Sequence, residues 1–265
     1  MRCTPEQEEL KISLLKHTRE LYNAQADQWS RDEPLLLSDY SARPFLLDLC
    51  EPVADATILD LGCGEGYVSR ELMKRGAKRT LGIDISEKMI AAAFEQQQSH
   101  PWDGLSYSVA DLRKYNIVGA DRYDLVVAVF LFNYMTLKET CQTVEQVFNA
   151  LRPGGRLVFS VPHPVLPFLK KDRFPFYFET SDGYFSGRGT RFPGQIWRTD
   201  RVAVNVQCVH KTVEDYFSCL QTAGFRLMPD IHELRVTDED VRRDPKFFGP
   251  LFDLPLHLAI RVEKQ

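Results

Sequence analysis

Glycines and acids in the first half of this 265-residue chain have types and spacing that indicate an adenosine-containing ligand. Residues 58–66, ILDLGCGEG, run from an apolar stretch into a glycine-rich turn. Glycine lets the backbone pass close to a ligand, because a Cβ would fill the ligand's space or oppose the positive φ of such turns. Asp84 follows Gly66 by 18 residues, where an acid accepts hydrogen bonds from the two ribose hydroxyls. Asp111 is placed to accept a hydrogen bond from the adenine amino group.

The elements that must position these residues are predicted to form a parallel sheet with crossover helices. From residue 57, short apolar runs alternate with helical stretches, which is typical of parallel strands with helices on both faces. Ligands bind such sheets at the carboxyl ends of the strands, where the glycine turn, Asp84 and Asp111 would lie together. The predicted strands are 57–61, 79–84, 105–109, 123–130 and 156–161.

Capping signals mark several helix ends, and two more strands are predicted near the C-terminus. The first of these strands begins at residue 225, and the second covers 256–262. Residues 237–245, between them, are predicted to be a solvated charged loop. The helix signals are Gly76, Ser86, Thr136 with Glu139, Thr212 with Asp215, and Gly224.

The chain divides into three predicted regions. A start signal at Thr4, Pro5 and Gln7 begins a helix that runs to about Trp29, and a second helix covers 41–50. The regions are an N-terminal helical cap (1–50), a core domain (51–161 and 201–265) and an insertion after the fifth strand (162–200).

The insertion is rich in proline, glycine and aromatic residues, and a long stretch without a regular pattern is typical of a lid or binding loop. We expect Tyr177, Tyr184 and Trp197 to contact the substrate and the other rings to exclude water from it. An unassigned element, or a small satellite core under a long loop, is the alternative. Five arginines could bind an acidic group of the substrate or lie in solvent: Arg173, Arg188, Arg191, Arg198 and Arg201.

Charge, hydropathy and cysteine spacing favour a cytoplasmic protein without a metal. A formal net charge of -4 argues against a partner that is nucleic acid, because such binding depends on neutralising phosphates. No apolar run reaches the roughly 18 residues that span a bilayer, which argues against a membrane partner, and the first residues resemble no signal peptide. The cysteines show no metal-ligand spacing and are expected to be free thiols: Cys3, Cys50, Cys63, Cys141, Cys208 and Cys219.

The segments DLGCGEG, GIDIS, ADL and LRPGG together resemble the class I S-adenosylmethionine-dependent methyltransferases of the small-molecule group (methyltransferase type 11), mainly over residues 20–160. The resemblance implies an α/β fold with a Rossmann-like, seven-stranded, mostly parallel sheet, helices on both faces and a terminal antiparallel hairpin. It also implies S-adenosyl-L-methionine as cofactor and S-adenosyl-L-homocysteine as product.

The same resemblance assigns roles to residues of this chain. The glycine turn would bind the methionine part of the cofactor. The acid that ends the second strand would bind the ribose, and the acid of ADL, together with the backbone after it, would bind the adenine. The end of the fourth strand would line the site, and residues 22–29 would fold over the cofactor, unless their rings are plain core aromatics. The implied cofactor-binding residues are Tyr22, Trp29, Asp60, Gly62, Cys63, Gly64, Asp84, Ile85, Asp111, Leu112, Val129, Phe130 and Tyr134.

Two other functions remain to be weighed against methyl transfer. An NAD(P)-dependent oxidoreductase uses the same sheet, but Tyr67 stands where its third glycine would be, and Asp60 would repel a diphosphate. A non-catalytic S-adenosylmethionine-binding protein would keep the fold without the reaction.

The acceptor is expected to be a small molecule, methylated on nitrogen or oxygen and less readily on carbon, with secondary metabolism as one setting. Residues 132–135, FNYM, lack the Asn/Asp-Pro-Pro-aromatic signature of enzymes that methylate nucleobase or glutamine amino groups. His163 and His210 could each act as a base, or could merely hydrogen-bond a neighbouring carbonyl. The sequence leaves the oligomeric state open.

Overall fold

The computed structural model describes residues 18–29, 33–99, 101–115, 117, 122–169 and 172–265. The predicted helix start at Thr4 lies outside these residues. Residues 18–24 are helical, and after a turn at Gln25 the helix continues as α1 (Ala26–Trp29). The single helix predicted over 41–50 is instead two, α2 (Leu37–Ser41) and α3 (Arg43–Leu49), and proline in the first turn of α3 marks its start.

The main sheet has seven strands in the order β3-β2-β1-β4-β5-β10-β9, which confirms the predicted Rossmann-like fold. β10 runs antiparallel to both of its neighbours, and the other core pairings are parallel. Its strands are β1 (Thr57–Leu61), β2 (Arg79–Asp84), β3 (Leu105–Val109), β4 (Tyr123–Val129), β5 (Leu151–Pro162), β9 (Asp230–Leu234) and β10 (His257–Glu263).

The first three strands have the predicted bounds, whereas β4 ends one residue earlier than predicted and β5 extends beyond its predicted bounds at both ends. β4 stops before Phe130, whose φ of 54° cannot continue an extended strand. β5 begins at Leu151, before the proline and glycines of LRPGG that hide its start in the sequence.

Helices cover both faces of the main sheet. One buried cluster joins Leu59 and Leu61 of β1 to α6 (Leu137–Ala150) and α8 (Val213–Ala223). A second joins Ile58, on the opposite face of the same strand, to α3, α4 (Tyr67–Lys74) and α5 (Glu87–Ser99). The capping signals at Ser86, Thr136 and Thr212 and the C-cap at Gly224 are all present. In the described part of the chain, no helix is both long and apolar enough to cross a membrane.

The insertion contains regular structure, so the alternative of an unassigned element is the one that the structure shows. It forms α7 (Leu166–Leu169) and, with the segment after it, an antiparallel sheet of β6 (Phe176–Phe178), β7 (Arg191–Trp197) and β8 (Ala203–Val209). Pro193 and Gly194 lie inside β7 and hide its alternation. The predicted domain boundary at residue 200 divides this second sheet, because β8 lies beyond it.

The prediction of a charged loop over 237–245 is also wrong, because this part of the chain forms α9 (Asp238–Arg243) and the start of α10 (Pro245–Phe248). The Thr237 side chain accepts a hydrogen bond from the Asp240 amide at 3.2 Å, and the Asp240 carboxylate accepts one from the Thr237 amide at 2.9 Å. This reciprocal cap starts a helix whose exposed residues are nearly all charged.

The expectation that all cysteines are free thiols is wrong for one pair. Packing of α6 against α8 brings the Cα atoms of Cys141 and Cys219 to 4.6 Å, and the two form a disulfide. The residues are 78 apart in sequence, so their spacing carried no signal of the pairing. Among the described residues, Cys50, Cys63 and Cys208 are free and buried.

Candidate functional site

A cavity of about 170 Å³ lies at the carboxyl ends of β1, β2 and β4. A smaller cavity of about 60 Å³ adjoins it and shares Gly62, Asp84 and Tyr134 with it. Eleven of the sequence-predicted cofactor residues line the larger cavity, namely Tyr22, Trp29, Asp60, Gly62, Cys63, Gly64, Asp84, Ile85, Val129, Phe130 and Tyr134. The remaining two, Asp111 and Leu112, line the smaller one.

The glycine turn after β1 needs its glycines for two reasons. Gly62, Gly64 and Gly66 have φ values of 69°, 57° and 83°, which disfavour any residue with a Cβ. A Cβ on Gly62 would also lie 3.0 Å from the Leu131 side chain, and one on Gly66 would overlap the Tyr107 hydroxyl. The turn therefore keeps bare backbone on the cavity wall.

Asp84 ends β2 and is oriented by backbone amides. Its Oδ2 accepts a hydrogen bond from the Gly64 amide and its Oδ1 one from the Ser86 amide, each at 2.9 Å. Burial raises the pKa of Asp84, and these two hydrogen bonds oppose the rise. The carboxylate is thereby fixed between the glycine turn and the two cavities, and each oxygen keeps a lone pair for a further donor.

Asp60, at 1% exposure, is a buried acid on the same wall. Ser69 donates a hydrogen bond to its Oδ2 at 2.6 Å. Burial, with the nearby charge of Asp84 as a smaller contribution, raises the pKa of Asp60 to about 7 despite that hydrogen bond. An ammonium group of a ligand would favour the charged form of this carboxyl.

Asp111 and its neighbours bound the smaller cavity. The Asp111 Oδ1 accepts a hydrogen bond from the Arg113 Nε at 2.8 Å, and an Arg113 nitrogen lies 3.6 Å from Glu139. Leu112 is buried beside them. This end of the site thus combines a paired carboxylate with an apolar side chain, a composition suited to a flat heterocycle with an amino group.

The N-terminal segment 18–29 closes one side of the larger cavity. The Tyr22 hydroxyl donates to the Tyr134 hydroxyl at 2.5 Å, and burial raises the pKa of Tyr134 to about 12. The segment is joined to the start of α5, just after β2, by a hydrogen bond that Ser86 donates to Asn23 at 2.6 Å. It is fastened to the second sheet as well, through the Asn205 amide and the Gln25 side chain at 2.9 Å.

The structure does not bring His163 or His210 to either cavity, which corrects their expected position. The His163 Nε2 faces Glu233 at 2.8 Å, and its Nδ1 accepts a hydrogen bond from the Val165 amide. His210 bonds the Tyr184 carbonyl at 2.7 Å and stacks on Phe192. Burial lowers the pKa of both histidines. Each is held by protein groups outside the two cavities.

The predicted substrate residues Tyr177, Tyr184 and Trp197 also lie outside the cavities. Successive side chains of a strand point to opposite faces, so Phe176, Phe178 and Ile196 line the larger cavity. Tyr177 and Trp197, one position away, pack together on the other face, with ring centroids 6.1 Å apart. The Tyr184 hydroxyl instead accepts a hydrogen bond from the Val213 amide at 3.1 Å. The second sheet does reach the cavity, but through the residues next to those we expected.

Arg43 and His257 are among the polar residues of the larger cavity that were missed in the sequence. Arg43 is held to Asp39 at 2.7 Å and lies 5.9 Å from the centroid of the Phe130 ring. His257 is 3% exposed, and its Nε2 lies 3.1 Å from the Ser41 hydroxyl. Burial, with the charge of Arg43 as a further cause, lowers the pKa of His257 to about 3. The start of an antiparallel strand beside the carboxyl end of β5 was the signal that could have found His257.

Comparisons with known proteins identify the domain. The family described as "Methyltransferase domain" matches residues 58–155, which include the glycine turn and β1 to β4. The chain is 34% identical over 110 residues to the malonyl-[acyl-carrier protein] O-methyltransferase of Halalkalibacterium halodurans, covering 40% of this chain and 39% of that enzyme. It is 27% identical over 173 residues to the N-demethylindolmycin N-methyltransferase of Streptomyces griseus, covering 63% and 68% respectively.

The first curated relatives are matched over about half of their length or less. A solved structure of an S-adenosylmethionine-dependent methyltransferase from Mesorhizobium loti is similar over a larger share, 83% of this chain and 96% of that one. Its sequence identity is 27% and its TM-score 0.64. Residues 58–155 therefore match a methyltransferase domain, and the chain has the fold of a class I S-adenosylmethionine-dependent methyltransferase.

Proposed function

We propose that this chain binds S-adenosylmethionine in the two adjoining cavities and transfers its methyl group to a nitrogen or oxygen atom of a small molecule, and less readily to carbon. The observation that carries the proposal is the hydrogen bond of 2.9 Å between the Gly64 amide and Asp84, which joins the glycine turn to the second-strand acid at the cavity wall. Asp111 borders the same space from β3.

The chemistry of the lining residues suits this cofactor part by part. Asp84 offers lone pairs to the ribose hydroxyls, and Asp111 with the Leu112 backbone suits the adenine. The buried carboxyl of Asp60 and the bare turn of Gly62 and Gly64 suit the charged amino acid end, because any Cβ would narrow the turn.

When bound, S-adenosylmethionine supplies a methyl group on sulfur, whose C–S bond breaks as the bond to the acceptor forms, leaving S-adenosylhomocysteine. The residues of this chain align the acceptor for in-line attack and exclude water. Phe176, Phe178 and Val206 of the second sheet supply the apolar wall for that purpose. A proton lost by the acceptor passes to solvent or to a neighbouring group after transfer.

Two further observations favour a small acceptor. The second sheet contributes side chains from β6, β7 and β8 to the wall of the larger cavity, whose volume of about 170 Å³ suits a small molecule. The name of the Streptomyces griseus relative, which is similar over 63% of this chain, describes methylation of a small molecule, N-demethylindolmycin. The net charge of -4 also disfavours a nucleic acid as acceptor or partner.

Calorimetry with S-adenosylmethionine, S-adenosylhomocysteine and NAD tests the proposed cofactor. We expect the first two to bind at one site and NAD not to bind. A screen of small phenols, amines and acids, read out as released S-adenosylhomocysteine, then tests the reaction. Binding of NAD in preference to both, or binding without product on any acceptor, would contradict the proposed function.

A further inference from the structure

His257 occupies a position in the fold where ligands of parallel sheets bind. It is the first residue of β10 and pairs with Pro162, the last residue of β5. Because β10 runs antiparallel to β5, its beginning lies with the carboxyl ends of the parallel strands. The side chain lines the larger cavity, with the Phe176 ring of the second sheet 5.9 Å away, whereas Asp111 lines only the smaller cavity.

The hydrogen bonds of Ser41 favour one tautomer of His257. When the Ser41 hydroxyl donates its one hydrogen to the Leu37 carbonyl at 3.0 Å, it accepts from the histidine Nε2 at 3.1 Å. In that tautomer the proton lies on Nε2, and Nδ1 presents a lone pair. Nδ1 is buried, and no hydrogen-bond partner for it is found among the described residues. Buried polar atoms ordinarily have partners.

The groups around His257 are apolar or uncharged overall. The ring of Phe130 lies 5.0 Å from the imidazole and that of Phe176 5.9 Å, centroid to centroid. The two ionisable groups that affect its protonation are Arg43, which is paired with Asp39, and His163, whose own pKa is lowered by burial. A cation here would be repelled by Arg43, and a group with no hydrogen to donate would leave the Nδ1 lone pair without a partner. A hydrogen-bond donor on a flat ring without positive charge suits Nδ1 and the rings of Phe130 and Phe176.

We propose that the acceptor is an uncharged aromatic or heteroaromatic molecule, and that a hydroxyl or ring N–H on it donates a hydrogen bond to the Nδ1 of His257 between the rings of Phe130 and Phe176. The proposal rests on the proposed function for the role of this cavity. It makes His257 a residue that selects and orients the acceptor. His257 is a weak base in this setting, so it recognises the donor rather than removing its proton.

Phenol and anisole form a matched pair of probes, since they share the ring and differ in the donor. We expect the full chain with S-adenosylhomocysteine bound to prefer phenol to anisole in an NMR titration. That preference should fall roughly two- to tenfold in His257→Phe, as expected for one neutral hydrogen bond. His257→Asn, which keeps an acceptor near the Nδ1 position, should retain part of it. His232→Phe, outside the cavities on β9, is the control and should behave as the unchanged protein.

A second measurement needs no substitution. In the chain labelled with ¹⁵N-histidine, phenol should move one unprotonated Nδ1 resonance towards the protonated range, and anisole should not. An equal preference for phenol in His257→Phe, or no phenol-specific shift of that resonance, would overturn the proposal. The titration is repeated without S-adenosylhomocysteine, and cofactor binding is measured separately, so failure of the cofactor assignment is distinguished from failure at His257.

Discussion

Asp84 is the residue through which the glycine turn and the ligand would interact. Its two oxygens are each oriented by one backbone amide, from Gly64 and Ser86, before any ligand is bound. Such preorganisation lowers the cost of binding, because the carboxylate needs no rearrangement to meet a pair of hydroxyls. The same two amides would lose their partner if the carboxylate were removed.

Replacing Asp84 by Ala should weaken binding of S-adenosylmethionine by about 1–3 kcal/mol, the usual range for losing charge-assisted hydrogen bonds. Isothermal calorimetry measures the change directly. Asp103→Asn removes an exposed acid in a turn far from both cavities and should leave the affinity unchanged. Unchanged affinity in Asp84→Ala would show that the ribose is bound elsewhere.

Substitutions of Gly66 and Gly154 distinguish two costs of adding a Cβ in a left-handed turn, the strain of a positive φ and the overlap of the Cβ with a neighbouring side chain. Both have positive φ, 83° and 74°, but a Cβ at Gly66 would overlap the Tyr107 hydroxyl, whereas nothing lies within 4 Å of one at Gly154. We expect Gly154→Ala to lower the free energy of unfolding by about 1 kcal/mol and Gly66→Ala by clearly more. Urea unfolding measures both, and equal losses would mean that Tyr107 moves aside freely.

At the scale of elements, the sequence predicted those parts whose signals are local. β1 to β3 are short apolar runs between clear helix ends, and their bounds agree with the structure. β6 and β7 of the second sheet were not predicted, because β6 has only three residues and Pro193 and Gly194 interrupt the alternation of β7. The pairing of Cys141 with Cys219 depends on how α6 meets α8, which no spacing reveals.

The candidate site also has a part that local sequence signals predicted and a part that they did not. The cofactor wall is built from a continuous motif and from residues that end consecutive strands, so strand order was enough to predict it. The acceptor end is built from β10, α3 and the second sheet, whose neighbours are set by packing. One-residue register then decides that Phe176 faces the cavity and Tyr177 does not.

α9 shows a local signal that was present but not used. Its cap has the same Thr-x-x-Asp spacing as the one that starts α8. Thr237→Ala should lower the free energy of unfolding by about 0.5–2 kcal/mol, since two hydrogen bonds of the cap are lost. Thr237→Ser keeps the hydroxyl and is the control. Chemical denaturation measures both variants, and an Ala variant as stable as the unchanged protein would mean that α9 needs no cap.

For the whole molecule, the buried histidines couple stability to pH. Burial lowers the pKa of His163, His210 and His257, the last to about 3, so each stays neutral in the folded chain at pH values where the unfolded chain binds a proton. The contribution of these three histidines to the free energy of unfolding is present above about pH 6.5 and is lost as the pH falls below that value. Asp60, whose pKa is raised to about 7, acts in the opposite direction between that pH and about 4.

Comparison of variants isolates one histidine from these opposing effects. Between pH 6.5 and 5.5 the unchanged protein should lose about 1 kcal/mol of unfolding free energy relative to His257→Phe, because only the former has this site to protonate on unfolding. Urea titrations at the two pH values give the difference. A difference that does not change with pH would mean that His257 titrates equally in both states.

The larger cavity is walled by parts of the chain that are otherwise distant: the N-terminal segment 18–29, α2 and α3, the glycine turn, and the second sheet. A molecule that fills it therefore acts as a non-covalent crosslink among all four. Because it would be released when any of them detaches, its binding free energy adds to the resistance of each to local opening. Cofactor supply would in this way set how readily the chain is attacked by proteases.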